Sequence, residues 1–297
     1  MRPYSLVASL PFVRGANHTG CCDAGTVMDA LQRFTHLGRP TTFAYATSRQ
    51  AITLALAGSV AGLVVPGDRA PGVAAFQTAA TVFLAWALAR ELAPDHPAAA
   101  VLAGVLAGAA TIWTGDTSVA ALAALMIAAR ILVRSTGLRP LLTDVVAVGV
   151  FAGVFARTPL AWAAGLAVAT AIALDSRLPE PAPDMHVGLA AAIGVAVTVT
   201  VVLSEALPRT WQMPDLATLI LAPAGVFALA TAPRLPLRSL SGFGHRPLDT
   251  SRLTVGRWIV LGALLLGTVV GGDTSAHQTW PAWAVVLTVG LTARRKA

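Results

Sequence analysis

Charge is what this 297-residue chain has least of: 12% of its residues are Asp, Glu, Lys or Arg, against about a quarter in soluble domains. Hydrophobic residues make up 56% and the mean hydropathy is +0.70. No soluble core absorbs this much apolar surface. Lysine is all but missing, Lys296 being the single example, so the net charge of +7 is carried by arginine. The arginines are scattered among short gaps, with no basic helix and no aromatic-interleaved patch, which argues against a nucleic-acid partner. The two cysteines, adjacent at Cys21 and Cys22, cannot found a disulfide framework. Catalytic signatures are lacking too: there is no HExxH, GxSxG, P-loop, complete GxGxxG or Asp-rich diphosphate motif, and Gly242-Phe243-Gly244 is a fragment of a glycine-rich loop. No cofactor and no catalytic residue is expected. His18, Cys21, Cys22 and Asp23 offer metal-ligand types close together but lack the second pair of a zinc site, so no metal is expected either.

What the chain does have is rhythm. Apolar stretches run over about 50–66, 72–90, 97–114, 118–135, 141–156, 159–175, 186–206, 214–232, 254–271 and 279–293. Each is long enough for about 24–30 Å of helix, near the thickness of the hydrocarbon layer. Pro71, Pro97, Pro140, Pro159, Pro214 and Pro281 sit where stretches begin, as suits a residue without an N–H in a first turn. If the N-terminus is cytoplasmic, all arginines but Arg69, Arg157 and Arg209 fall on inner gaps, the bias expected of cytoplasmic loops. Trp113, Trp162, Trp211, Trp280 and Trp283 then lie at outer ends and Trp86 and Trp258 near inner ends, with none at mid-membrane. The fold class expected is all-α: a polytopic integral membrane bundle of about ten transmembrane helices, both termini cytoplasmic. The Arg-rich, Lys-poor composition suits a GC-rich genome, so the expected location is the plasma membrane of a prokaryote.

Residues 1–49 form a polar cytoplasmic segment, in which 28–37 could make a short interfacial helix with Leu31, Phe34 and Leu37 on one face. Met28 offers a second translation start. Residues 50–293 are the ten-span domain, interrupted at about 233–253 by a Pro- and Arg-containing cytoplasmic loop, and 294–297 are a basic tail. Gly58/Gly62, Gly104/Gly108 and Gly149/Gly153 are pairs four residues apart, suited to close helix packing within the chain or between chains.

Ionisable residues inside spans are the first candidates for function. Asp144 lies just inside the fifth span and Glu205 at the outer end of the seventh, both within reach of headgroup water. Arg130 is close enough to an inner end to snorkel, and Arg157 could pair with Glu205 or Asp116. Thr198, Thr200, Ser204 and Glu205 gather polar groups on the seventh span, and Pro223 in the middle of the eighth frees a carbonyl that could line a pathway. Asp144, Thr198, Ser204, Glu205 and Pro223 are therefore the candidate pathway or polar cluster. The sequences TGDTS at 114–118 and GGDTS at 271–275 repeat on the outer side. They are read as turns and caps, or as an outer loop pair through Asp116 and Asp273.

The leading functional expectation is a secondary carrier with a largely neutral pathway for a small molecule. In size and even span number the chain is similar to drug/metabolite-type transporters, which are built from two five-span halves. That resemblance is one of gross architecture: it rests on no family motif and no five-span repeat, and it carries over no residue. The alternatives are a scaffold or accessory subunit, packing in a homo- or hetero-oligomer through small-residue faces, and a lipid-processing enzyme. The enzyme would need at least two of Asp95, His96, Asp144, Asp175 and Asp249 to converge at the inner interface.

Overall fold

In the computed structural model, residues 34–38, 46–65, 69–207, 213–232, 237–241 and 246–294 are described, with the backbone alone at 273–276 and 294. The interfacial helix expected at 28–37 lies outside the described residues except for its last positions, as do His18, Cys21, Cys22 and Asp23. Among the described residues the structure is helical, and the sole β feature is an isolated bridge between Leu240 and Pro247.

The helices are α1 (Ala46–Val64), α2 (Pro71–Leu92), α3 (Pro97–Thr114), α4 (Val119–Val133), α5 (Leu142–Phe155), α6 (Pro159–Asp175), α7 (Met185–Leu203), α8 (Leu216–Ala230), α9 (Thr250–Gly272) and α10 (273–294). Each expected apolar stretch coincides with one of them. α2, α3, α7 and α9 are long and apolar enough to cross a membrane, as befits a membrane protein. α4, α5, α6 and α8 are apolar but shorter, at 14–17 residues, and α1 opens on the polar turn ATSRQ.

Helix boundaries follow local chemistry. Pro71, Pro97 and Pro159 occupy the first turns of α2, α3 and α6. Hydroxyl and carboxylate caps hold the starts of α4, α6 and α8, where Ser118 accepts from Ala121 N, Thr158 from Ala161 N and Asp215 from Thr218 N. Three prolines depart from expectation. Pro140 and Pro214 stand before the first helical residue of their elements, and Pro281 lies inside α10. The cause of the last is that the helix resumes straight after Gly272, whose φ of 54° and ψ of −145° form the single non-helical step in 250–294. Glycine alone adopts such a conformation without penalty. One residue thus does the work of the expected loop. The consequence is that Trp283, expected at an outer end, sits about halfway along α10 and is fully buried.

The α9–α10 hairpin packs against α2, α3, α4, α6 and α8, while α1 lies on α2 and α3, and α5 and α7 form an edge beyond α6. Close approaches at glycine set these contacts. A Cβ on Gly62 would meet Ala74 O at 2.6 Å, one on Gly108 the Val82 side chain at 2.7 Å, and one on Gly149 the Ile193 side chain at 2.6 Å. The glycine pairs of α1 and α3 are therefore spent on packing inside the chain. Ala, Leu and Val from α2, α3, α4, α6, α9 and α10 fill a continuous core around Leu88, Leu125, Val168, Leu264 and Val286.

Candidate functional site

The helix ends separate by charge. One end gathers Arg90, Arg130, Arg134, Arg139, Arg177, Arg238, Arg246, Arg252 and Arg257; the far end holds Arg69 and Arg157 among the described residues. Contacts between elements fix this sorting, since Arg252 reaches Asp175 and Leu132 O, Arg257 reaches Leu92 O, and the Asp95 carboxylate accepts from the amides of Arg238 and Ser239.

The arginine-rich end carries a buried ionic hub that the sequence alone does not announce. Arg134, closing α4, forks onto Asp175 at the end of α6, with Nε–Oδ1 at 3.0 Å and Nη2–Oδ2 at 2.9 Å, and Arg252 Nη1 donates to the same Oδ1 at 2.6 Å. All three side chains are buried. Beside them Arg130 donates to Glu91 at 2.8 Å and to Leu37 O at 3.1 Å. Arg130 thus turns inward to a carboxylate and does not snorkel outward, because Glu91, buried at the end of α2, stands at its level. In the sequence Glu91 and Asp175 show only as acidic residues at arginine-rich helix ends, a position that solvation or capping would satisfy equally well.

Asp144 is buried too, and its Oδ2 accepts from Leu141 N at 3.0 Å and His36 N at 2.9 Å. It caps α5 and ties down residues 34–38, whose Leu37 carbonyl is the one held by Arg130. Asp95, in the α2–α3 turn, holds the 237–241 segment. Burial pushes its carboxyl up, but the hydrogen bonds from the Ser239 hydroxyl and the Arg238 and Ser239 amides outweigh this, with a further contribution from His96, so its pKa lies below the ordinary 3.8. A lowered carboxyl stabilises the folded form fully above 3.8 and loses that contribution as pH falls through its folded value. Asp95→Ala should accordingly speed tryptic cleavage after Arg238 at neutral pH, and the parent chain should lose protection of the Arg238 and Ser239 amides in hydrogen exchange only below pH 3.8.

Of the other carboxylates named for the enzyme alternative, Asp249 accepts from Ser251 N. Among the described residues Asp95, Asp144, Asp175 and Asp249 share no donor. Each is spent on partners of its own. The described residues contain no group of three or more His, Cys, Asp or Glu side chains able to hold a metal.

Of the polar side chains expected to cluster on α7, Thr198, Ser204 and Glu205 stand exposed, the first two bonded back to their own helix. Thr198 is exposed and bonds Gly194 O at 2.9 Å, with Trp162 Nε1 at 3.5 Å; Ser204 is exposed and bonds Val201 O; Glu205 is exposed with a φ of 50°. Pro223, on α8, is exposed along an open apolar groove of about 490 Å³ that it shares with Ala222, Val226, Phe227 and Val269.

At the far end Asp116 joins three elements. It accepts from Arg69 at 3.4 Å and from Gln278 Nε2 at 2.7 Å, and Arg69 also donates to Gln77. Arg69, not Arg157, is its cation. The side chain of Asp273 lies outside the described residues, so the expected loop pair is represented by Asp116 alone.

Deeper in, threonines divide into two groups. Thr78, Thr111 and Thr288 donate to carbonyls four residues back, at 2.8–2.9 Å, the usual way to satisfy a hydroxyl inside a helix. Thr81 and Thr268 do not: their hydroxyls are buried without a partner, as are Gln278 Oε1 and Trp283 Nε1. These four belong to α2 and to the α9–α10 hairpin that packs on it, while two further unpartnered buried atoms, Glu91 Oε2 and Ser135 Oγ, lie at the arginine-rich end. Thr81 lies halfway along α2 and Trp283 halfway along α10, with Thr268 and Gln278 on either side of the Gly272 break.

The chain matches no protein-family profile, no curated protein and no solved structure.

Proposed function

We propose that this is a ten-span protein of a prokaryotic plasma membrane, its arginine-rich end and both termini in the cytoplasm, acting as a secondary carrier for a small uncharged polar solute. The span count is supported by the coincidence of ten apolar stretches with ten helical segments, and the sidedness by the sorting of arginine between the two ends. Thiol labelling of single cysteines introduced at Arg177 and at Thr158 tests the sidedness, with labelling by an impermeant reagent in intact cells expected at position 158 only; labelling of both positions, or of 177 alone, overturns the topology.

The observation that carries the transport reading is the set of unpartnered polar atoms at Thr81, Thr268, Gln278 and Trp283. An unmade hydrogen bond inside a protein costs about 1–3 kcal/mol per group, and native interiors leave few of them. Donors and acceptors kept unmade along one helix and the hairpin packed on it suit transient occupancy by water or the hydroxyl and amide groups of a solute. None of the four is ionisable, and Glu91, whose Oε2 is also unpartnered, lies at the arginine-rich end of α2 with its other oxygen held by Arg130, which favours an uncharged cargo. Osmotic swelling of proteoliposomes in glycerol, urea and sugars of graded size is the test. Faster entry than in protein-free liposomes, abolished in Thr81→Val, is expected. Rates equal to the empty liposomes for every solute, with cysteines at 81 and 268 unreactive to water-soluble thiol reagents, would favour the second reading, a scaffold. That reading draws support from the tightly filled Ala-, Leu- and Val-rich core.

A further inference from the structure

The edge formed by α5 and α7 carries a feature with no role in the proposed route. An open trench of about 600 Å³ runs between the two helices, walled by Val146, Val150, Val154 and Leu189 and floored where Gly149 and Gly153 face Ile193 and Ala196. Its sides are apolar. At its far-end mouth stands Arg157, the residue after the C-cap of α5, with an exposed side chain that makes no hydrogen bond or ion pair among the described residues, while the other described arginine of that end, Arg69, is engaged by Asp116. Gly149 to Arg157 covers about 12 Å of helix at 1.5 Å per residue, within the depth of one leaflet, half of a hydrocarbon core about 30 Å thick, and the trench continues to Val145 near the other end of α5.

We infer that this trench is a binding site for an anionic phospholipid of the leaflet at the far end: one acyl chain lies along the Gly149–Gly153 floor and the headgroup phosphate pairs with Arg157. Charge complementarity selects this occupant. A guanidinium at headgroup level is geometrically matched to a phosphate, to which it can offer paired N–H donors. An acyl chain is a thin, flexible filler that fits a floor of hydrogens and methyl groups without disturbing the Gly149–Ile193 contact. A second helix seated there would bring no countercharge for Arg157 unless it carried a carboxylate, and α5 and α7 themselves have none at that end except Glu205, which is already engaged. The inference rests on α5 and α7 crossing the bilayer, which the same thiol labelling extended to single cysteines at Arg139 and Ser204 reads independently, with position 204 alone of the two expected to label in intact cells.

Native mass spectrometry of the purified full chain, titrated with phosphatidylglycerol and with phosphatidylcholine of the same acyl chains, tests it. Phosphatidylglycerol should be retained about fivefold better, the worth of one basic residue near an anionic surface. Arg157→Gln should bring the two lipids to parity, and Arg157→Lys should keep the preference. Gly153→Leu, which fills the floor where a Cβ would have 3.9 Å to Ala196, should weaken retention of both lipids; Ala196→Leu closes the same space from α7 should that variant fail to fold. Equal retention of the two lipids by the parent chain, or a preference that survives Arg157→Gln, overturns the site. Conversion of a dimer to monomers by Gly153→Leu also overturns it, by showing that a second copy covers the trench. If either result comes with the labelling pattern intact, the lipid site fails and the topology stands.

Discussion

Asp175→Ala should destabilise the protein by about 3–5 kcal/mol, the cost of leaving a buried charge uncompensated, and read as a large drop in thermal unfolding in a single detergent. Asp175 is 1% exposed and faces Arg134 and Arg252, themselves buried at 7% and 3%. Taking both guanidinium groups out of water is repaid mainly through this one carboxylate, with the Leu132 and Pro179 carbonyls that Arg252 also holds and a longer, 3.9 Å pairing of Arg134 with the exposed Glu180. Removing it leaves two cations side by side in an apolar surround, fixed on the ends of α4 and α9. Asp175→Asn keeps an acceptor in place but not the charge, and should fall between. Arg246→Ala is the internal comparison: its 3.1 Å bond to Glu180 is between side chains 72% and 59% exposed, and such surface pairs contribute about 0–1 kcal/mol. A variant at Asp175 no worse than the one at Arg246 would remove the hub from the account of what holds α4, α6 and α9 together.

That hub marks where sequence reading stops. The helices were legible because apolar runs, Pro at first turns and Ser, Thr or Asp caps are local signals: Pro97, Thr158 and Asp215 act within four residues of where they stand. The sorting of arginine was legible for a similar reason, since each successive helix simply reverses the end. Pairing is not local. Arg134 finds Asp175 across 41 residues and Arg252 finds it across 77, and nothing in the stretch around Asp175 distinguishes it from Asp144, which ends as a cap. The break at Gly272 was hidden by its neighbours. GGDTSAHQ has the composition of a loop, so α10 was expected to begin at 279, and the depth of Trp283 was misjudged by the same amount. The α7 polar groups were read as a cluster because helical spacing was weighed without knowing which face α6 and α5 would cover. Val197 and Ile193 point into the core, and Thr198 is left on the outside.

Trp283 separates packing from transport more sharply than any other residue. Its ring is fully buried, and a Cβ on Gly225 would lie 2.8 Å from it, so α8 approaches as closely as a glycine permits. Trp283→Ala should cost about 3–5 kcal/mol, the usual range for deleting a large buried aromatic. Gly225→Ala should cost about 1–3 kcal/mol by pushing the ring off its site. Both variants read packing alone. Trp283→Phe asks a different question, because it keeps an aromatic ring against Gly225 and removes the indole N–H, which has no acceptor in the folded chain. Deleting an unsatisfied donor forfeits no hydrogen bond, so only the smaller ring is felt, and the loss of stability should stay well below that of Trp283→Ala. If that N–H serves a passing solute, the same variant should lose accelerated swelling for solutes that the parent protein admits, at equal reconstituted amounts. Stable protein with unchanged entry rates would reduce Trp283 to a packing residue, and the neutral route would lose the group that defines its depth.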